Sequence, residues 1–124
     1  MTGPPDLSFS RHLRVRSRTD FLRVQRSGRK VRGRYLILLT TENNLPTPRF
    51  GITVSRKHGN AVERNRLKRQ IREIQRLHRH SIMPGRDVVA VATRGARQAS
   101  FGQLEAEYLD LAARAGLRRG SKGP

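Results

Sequence analysis

The sequence predicts an α+β domain built on a mixed sheet. Three observations carry this. Two stretches open with a capping box and continue with helical periodicity, from Asn60 to His80 and from Ser100 to Ala115. Three runs rich in β-branched and apolar residues sit between turn signals: Val31 to Thr41, Phe50 to Ser55, and Val88 to Ala92. With a short helix in front, the order is helix, strands, helix, strand, helix. That order suits one sheet with helices on one face and the other face left for a ligand.

A chain of 124 residues is the size of a single domain. Its body is expected at 17–116, between a basic arm at 1–16 and a basic tail at 117–124. In the arm, Pro4-Pro5 opposes helix, and Arg11, Arg14 and Arg16 follow no period, so flexibility is expected there. Ser17 or Thr19 can cap the first helix, Asp20 suits its first turn and Gly28 stops it. Val31 to Thr41 reads as one central strand. Glu42 to Pro48 is a turn by composition. Phe50 to Ser55 pairs most simply with the first strand as an antiparallel hairpin. After the basic helix, Pro84-Gly85 turns the chain into Val88 to Ala92, a buried strand. In the last helix Ser100 and Gln103 form the box, Leu104, Tyr108, Leu111 and Ala115 share a face, and Gly116 is the C′ residue.

Charge narrows the partner. There are 27 Lys and Arg against 9 Asp and Glu, a formal net charge of +18. A compact domain so charged repels itself, and a polyanion relieves it, nucleic acid first. No apolar run is long enough to span a bilayer, so no membrane partner is expected. With no cysteine there is no disulfide, no Cys-ligated zinc and no thiol nucleophile. The first residues lack a charged segment followed by an apolar one, and the cytoplasm is the expected compartment.

Catalytic constellations are lacking. His12, His58, His78 and His80 form no His-x-x-x-His pair. Glu105, Glu107 and Asp110 read as a solvated helix face rather than a metal site. No Gly-x-Ser-x-Gly or phosphate-loop motif appears. No catalytic or metal-ligating residue is assigned, and the chain reads as a binder.

Its binding surface is expected on the helix capped by Asn60 and Glu63. Leu67, Ile71, Ile74 and Leu77 make its apolar stripe. Arg64, Lys68, Arg72, Arg76 and Arg79 are expected opposite, flanked by Asn65 and Arg69, with Arg66 at the edge between faces. Guanidinium groups bind phosphate oxygens bidentately. The arm and Arg29 to Arg34 offer further phosphate contacts. Phe21 and Tyr35 can stack on unpaired bases.

Gly59-Asn60-Ala61-Val62-Glu63-Arg64-Asn65-Arg66-Leu67-Lys68-Arg69 resembles the arginine–asparagine–arginine signature of the bacterial ribonuclease P protein component. Asp20-Phe21 with Val24 and Gly28, Gly33-Arg34-Tyr35-Leu36, and Phe50 to Lys57 agree with it, so the likeness spans roughly residues 11 to 115. The resemblance implies a fold like the second domain of ribosomal protein S5, with a left-handed crossover through the motif helix. It implies a protein subunit that assists a catalytic RNA in removing the 5′ leader from precursor tRNA. Magnesium would be held mainly by the RNA. The partners would be ribonuclease P RNA and precursor tRNA, with no protein oligomer expected. Asn60, Arg64, Asn65, Arg66, Lys68, Arg69 and Arg72 would face the catalytic RNA. Phe21, Gln25, Tyr35, Ile37, Leu39, Arg56, Lys57 and Arg94 would line or border a cleft for the single-stranded leader. Gln25 stands where many relatives have a second aromatic and Leu39 where some have one, which implies weaker stacking and more weight on basic contacts. A structural RNA-binding protein and an architectural DNA binder are the competing readings, because phosphate neutralisation is common to all three.

Overall fold

The computed structural model describes residues 14, 15 and 18–118. Helix α1 (Arg18–Ser27) leads into strands β1 (Arg29–Arg32), β2 (Leu36–Glu42) and β3 (Arg49–Thr53). Helix α2 (Ala61–His78), strand β4 (Arg86–Ala92) and helix α3 (Phe101–Arg114) follow. Short 3₁₀ turns at Arg56–His58, Arg79–Ser81 and Arg94–Gln98 join them. The strand order is β1-β2-β4-β3. β2 is antiparallel to β1 and to β4, and β3 is parallel to β4.

Two strand expectations are corrected. The run from Val31 to Thr41 is not one strand but the end of β1, a turn, and β2. The turn is closed by Gly33 N donating to Leu36 O at 2.8 Å. The Glu107 carboxylate, reaching over from α3, also accepts from the amides of Arg34, Tyr35 and Leu36 at 2.8, 2.6 and 2.7 Å. Nor does β3 form a hairpin with β2, because β4 lies between them. The connecting loop passes over the start of β4, where Asn43 N donates to Gly85 O at 2.9 Å.

The helices are not confined to one face either. α2 and α3 cover one side, where Leu67, Ile71, Ile74, Leu104, Tyr108 and Leu111 pack with Leu36, Leu38, Phe50, Val88 and Ala90. Burying each such large side chain contributes about 1.5–3 kcal/mol. α1 lies on the other side, where Val24 packs with Val15, Leu39 and Val89. It covers only part of that face, and Ile37 and Val91 stay partly exposed.

The folded body also reaches beyond 17–116. Val15 is buried and its amide donates to Phe50 O at 2.7 Å, so the near end of the arm is pinned to β3. Leu117 is buried too, and its carbonyl accepts from Met83 N at 2.7 Å. Apart from Arg14 and Arg118, the rest of the arm and tail lies outside the described residues, as does the proposed Ser17 cap. Thr19 lies inside α1 and does not cap it.

Candidate nucleic-acid interface

The start of α2 folds as its sequence dictates. Asn60 Oδ1 accepts from Glu63 N at 2.9 Å, and Glu63 Oε1 accepts from Asn60 N at 3.3 Å. Glu63 Oε2 also accepts from Arg97 Nη2 at 2.5 Å, which ties the 3₁₀ turn Arg94–Gln98 to the helix. The Arg97 hydrogen bond, and then the Asn60 amide, hold the Glu63 carboxyl below the usual carboxylate range. Gly59 enters this cap with φ +104°, a backbone that side chains rarely adopt.

The faces of α2 differ from the expected ones. Leu67, Ile71, Ile74 and Gln75 are buried. Gln75, not Leu77, completes the stripe, and its Nε2 donates to Gly51 O at 3.2 Å. Leu77 is half-buried. The outward face is Asn65, Arg66, Arg69 and Arg72, all exposed and spaced i, i+3 and i+4. Arg66 therefore belongs to this face rather than to its edge. Arg64 and Lys68 are half-buried and flank the apolar stripe rather than opposing it. The Arg64 Nε is shielded from water with no hydrogen-bond partner among the described residues. Arg76 is paired with Glu73 at 2.6 Å, and Arg79 lies in the 3₁₀ turn beyond the helix.

On the opposite side of the sheet, register sets two rows of side chains, since directly paired residues share a face. One row is Lys30, Leu39, Val89 and Gly51. The next is Arg32, Ile37, Val91 and Thr53. Phe21 of α1 lies against Gly51, where an added Cβ would come within 2.9 Å of the ring. Beside it opens a groove of about 560 Å³ between Arg18, Phe21, Leu22 and Gln25 on α1, Ile52, Thr53 and Val54, and Lys68 on α2. A second hollow of about 250 Å³ is lined by Gln25, Lys30, Ile37, Leu39 and Val91. Gln25 is common to both.

Of the eight expected cleft residues, Phe21, Gln25, Ile37 and Leu39 come together here. The other four do not line these hollows. The Tyr35 ring packs at the margin of the larger core, with the Arg34 guanidinium 5.5 Å from its centroid. Arg56 and Lys57 are exposed on the 3₁₀ turn after β3, and Arg94 is exposed on the turn after β4. Thr93 N donates to Tyr35 O at 3.0 Å, so Arg94 follows directly on Tyr35's backbone partner. Thr53 and Val91 join the lining without a sequence expectation, while Lys30 is expected only as a phosphate contact within Arg29 to Arg34 and Lys68 only on the helix face. The sequence signal for Lys30 was the alternation Lys30-Val31-Arg32, which puts two cations on one side of a strand.

One buried carboxylate braces the groove. Asp87 on β4 is fully buried and accepts from Arg49 Nε and Nη2 at 2.9 and 2.7 Å. It also accepts from Asn43 Nδ2 and Arg23 Nη2, both at 2.9 Å. Arg49 Nη1 reaches Asp20 at 3.2 Å. Since Asp20 and Arg23 belong to α1, this network fixes the helix that carries Phe21 and Gln25. Among the described residues, no group of three His or acidic side chains is placed to hold a metal ion. None of the helices among the described residues is long and apolar enough to cross a membrane.

An arginine-rich helix face on one side of the sheet and a cation-rimmed apolar groove on the other mark a basic α+β domain suited to a polyanion. The family model for Ribonuclease P matches residues 9–116. Over 104 residues the chain is 38% identical to the ribonuclease P protein component of Syntrophomonas wolfei, covering 84% of this chain and 87% of that one. Over 84 residues it is 42% identical to that of Thermotoga maritima, covering 68% and 72%. Among solved structures, the Staphylococcus aureus RNase P protein superposes with a TM-score of 0.79 at 30% identity, over 86% of this chain and 98% of that one. The Thermotoga maritima protein gives 0.74 at 33%, over 79% and 93%. The chain belongs to the ribonuclease P protein family. It is the protein subunit of an endoribonuclease of tRNA 5′ processing, which sets aside the ribosomal and architectural DNA-binding readings.

Proposed function

We propose that the two sides of the sheet divide the work of this subunit. The exposed face of α2 (Asn65, Arg66, Arg69 and Arg72) docks on the ribonuclease P RNA, with Asn60, Arg64 and Lys68 at its flank. The groove beside α1 takes the single-stranded 5′ leader of precursor tRNA, with Phe21 as the stacking ring and Ile37 and Leu39 as the floor. Arg56, Lys57, Arg94 and Tyr35 stand at the end of the sheet, where the strand enters or leaves. Magnesium is held by the RNA, and neutralised phosphates let the folded RNA keep it at lower concentration. The observation that carries this reading is the separation of chemistries. The α2 face offers guanidinium groups to a folded phosphate surface, with Val62 the one large apolar side chain exposed among them. The groove offers an aromatic, a flat apolar floor and an amide, as unpaired bases require.

The test is reconstitution. Purified protein is added to a bacterial ribonuclease P RNA at low magnesium with precursor tRNA. The expected result is faster release of the 5′ leader than with RNA alone, and little gain on raising magnesium. No gain over RNA alone would overturn the reading.

A further inference from the structure

We infer that Lys30 and Arg32 of the edge strand β1 form the far wall of the groove and bind consecutive phosphates of the single-stranded RNA in it. The inference rests on the leader reading above and adds the residues that hold the backbone.

Geometry comes first. Among the described residues β1 has one strand neighbour, β2, and its outer edge pairs with no other strand. Register pairs Lys30 with Leu39 and Arg32 with Ile37, and both pairs face the side of the sheet that carries α1. Lys30 lines the hollow with Gln25, Ile37, Leu39 and Val91. Two residues on, Arg32 continues the same line beside Ile37 and Val91. Residues i and i+2 of a strand are about 6.6 Å apart. That is close to the spacing of neighbouring phosphates in an extended single strand.

Charge comes second. Lys30 and Arg32 are both exposed, and neither has an ion-pair partner among the described residues. The nearby acids are already engaged. Glu107 caps the amides of the β1–β2 turn, and Asp110 pairs with Arg114 at 3.3 Å. Arg114 in turn donates to Arg32 O at 3.2 Å, which satisfies part of the open edge and holds the strand in place. Three steps across the sheet, the other end of the groove carries Arg18 and Lys68. Interstrand steps of about 4.8 Å put β1 and β3 roughly 14 Å apart, and Arg18 and Lys68 line the groove beside β3. A single strand crossing the apolar floor therefore meets cations at both ends and bases' partners between them. The polarity suits an extended phosphodiester chain. A duplex would be too wide to lie on a floor roofed on one side by α1.

Arg29 supplies the internal control. It lies on the same strand and is also exposed, but its register partner is Thr40, on the other face, where its Nη2 donates to Arg114 O at 3.5 Å. The experiment measures Kd of the reconstituted holoenzyme for precursor tRNAs with a series of leader lengths, and for leaderless tRNA. K30A/R32A, R29A and F21A are compared with the parent. K30A/R32A is expected to weaken binding of long-leader precursor about tenfold, to lose that effect as the leader is shortened, and to leave leaderless tRNA unchanged. R29A is expected to change binding less than twofold. Equal losses for R29A and K30A/R32A would overturn the inference, as would a loss that persists without a leader. A weaker affinity of K30A/R32A for the ribonuclease P RNA alone would assign β1 to that RNA and also overturn it. If F21A shows a leader-dependent loss while K30A/R32A does not, only this inference fails. If neither shows one, the leader groove itself fails.

Discussion

Asp87 and Arg49 form a bidentate pair, with Arg49 Nε and Nη2 donating to the two oxygens of a carboxylate that has no exposure to solvent. Arg23 adds a third guanidinium bond from α1. Removing one member of such a buried set leaves uncompensated charge, at a cost of about 3–5 kcal/mol. Asp87→Ala is expected to lose that much stability by thermal or urea unfolding. A loss under 1 kcal/mol would mean that water reaches Arg49 and that α1 is held some other way.

Gly51 lets Phe21 lie flat on the sheet. A Cβ there would meet the ring at 2.9 Å and Val89 Cγ2 at 3.2 Å. Gly51→Ala is expected to cost about 1–3 kcal/mol by overpacking and to weaken binding of leader-bearing precursor more than of leaderless tRNA. Equal affinities for both in the variant and the parent would place the ring outside the binding path.

Much of this was legible in the sequence. The capping boxes of α2 and α3 are local, because Asn60–Glu63 and Ser100–Gln103 each close within one turn. The turn at Gly33 was not, because what stabilises it is Glu107, more than seventy residues away. The parallel β3–β4 pairing escaped for the same reason. Proximity in sequence favours a hairpin, whereas the buried Asp87 holds Asn43 and Arg49 so that the loop passes over β4. Once β4 sits beside β3, Val91 and Thr53 become groove floor, and no local pattern announces that. The α2 faces depart from the apolar periodicity because Gln75 occupies a core position usually filled by an apolar residue.

Acid should loosen the cap of α2. Glu63 is held below its ordinary value of 4.5, first by Arg97 and then by the Asn60 amide. Its contribution is therefore full above that value and is lost as pH falls through the lower folded value. E63Q is expected to melt below the parent at neutral pH and to converge with it in acid. A difference that persists undiminished at pH 3 would show that the carboxylate's charge is not what matters.

The outward face of α2 predicts a ranking of salt effects. R66A and R69A should each lower the salt slope of ribonuclease P RNA binding by about 0.7–0.9, one released counterion per lost phosphate contact. R64A, whose Nε is shielded from water, should change the slope less and stability more. The reverse order would mean that the helix meets the RNA with its flank.

The division of labour between the two sides of the sheet is tested most directly by a double dissociation. Titrations of R66A/R69A and F21A measure affinity for ribonuclease P RNA and, at saturating protein, the ratio of holoenzyme affinities for precursor and leaderless tRNA. R66A/R69A is predicted to weaken RNA binding at least tenfold and to keep the ratio, while F21A keeps RNA binding and lowers the ratio. Parallel losses in both measurements for both variants would contradict the account.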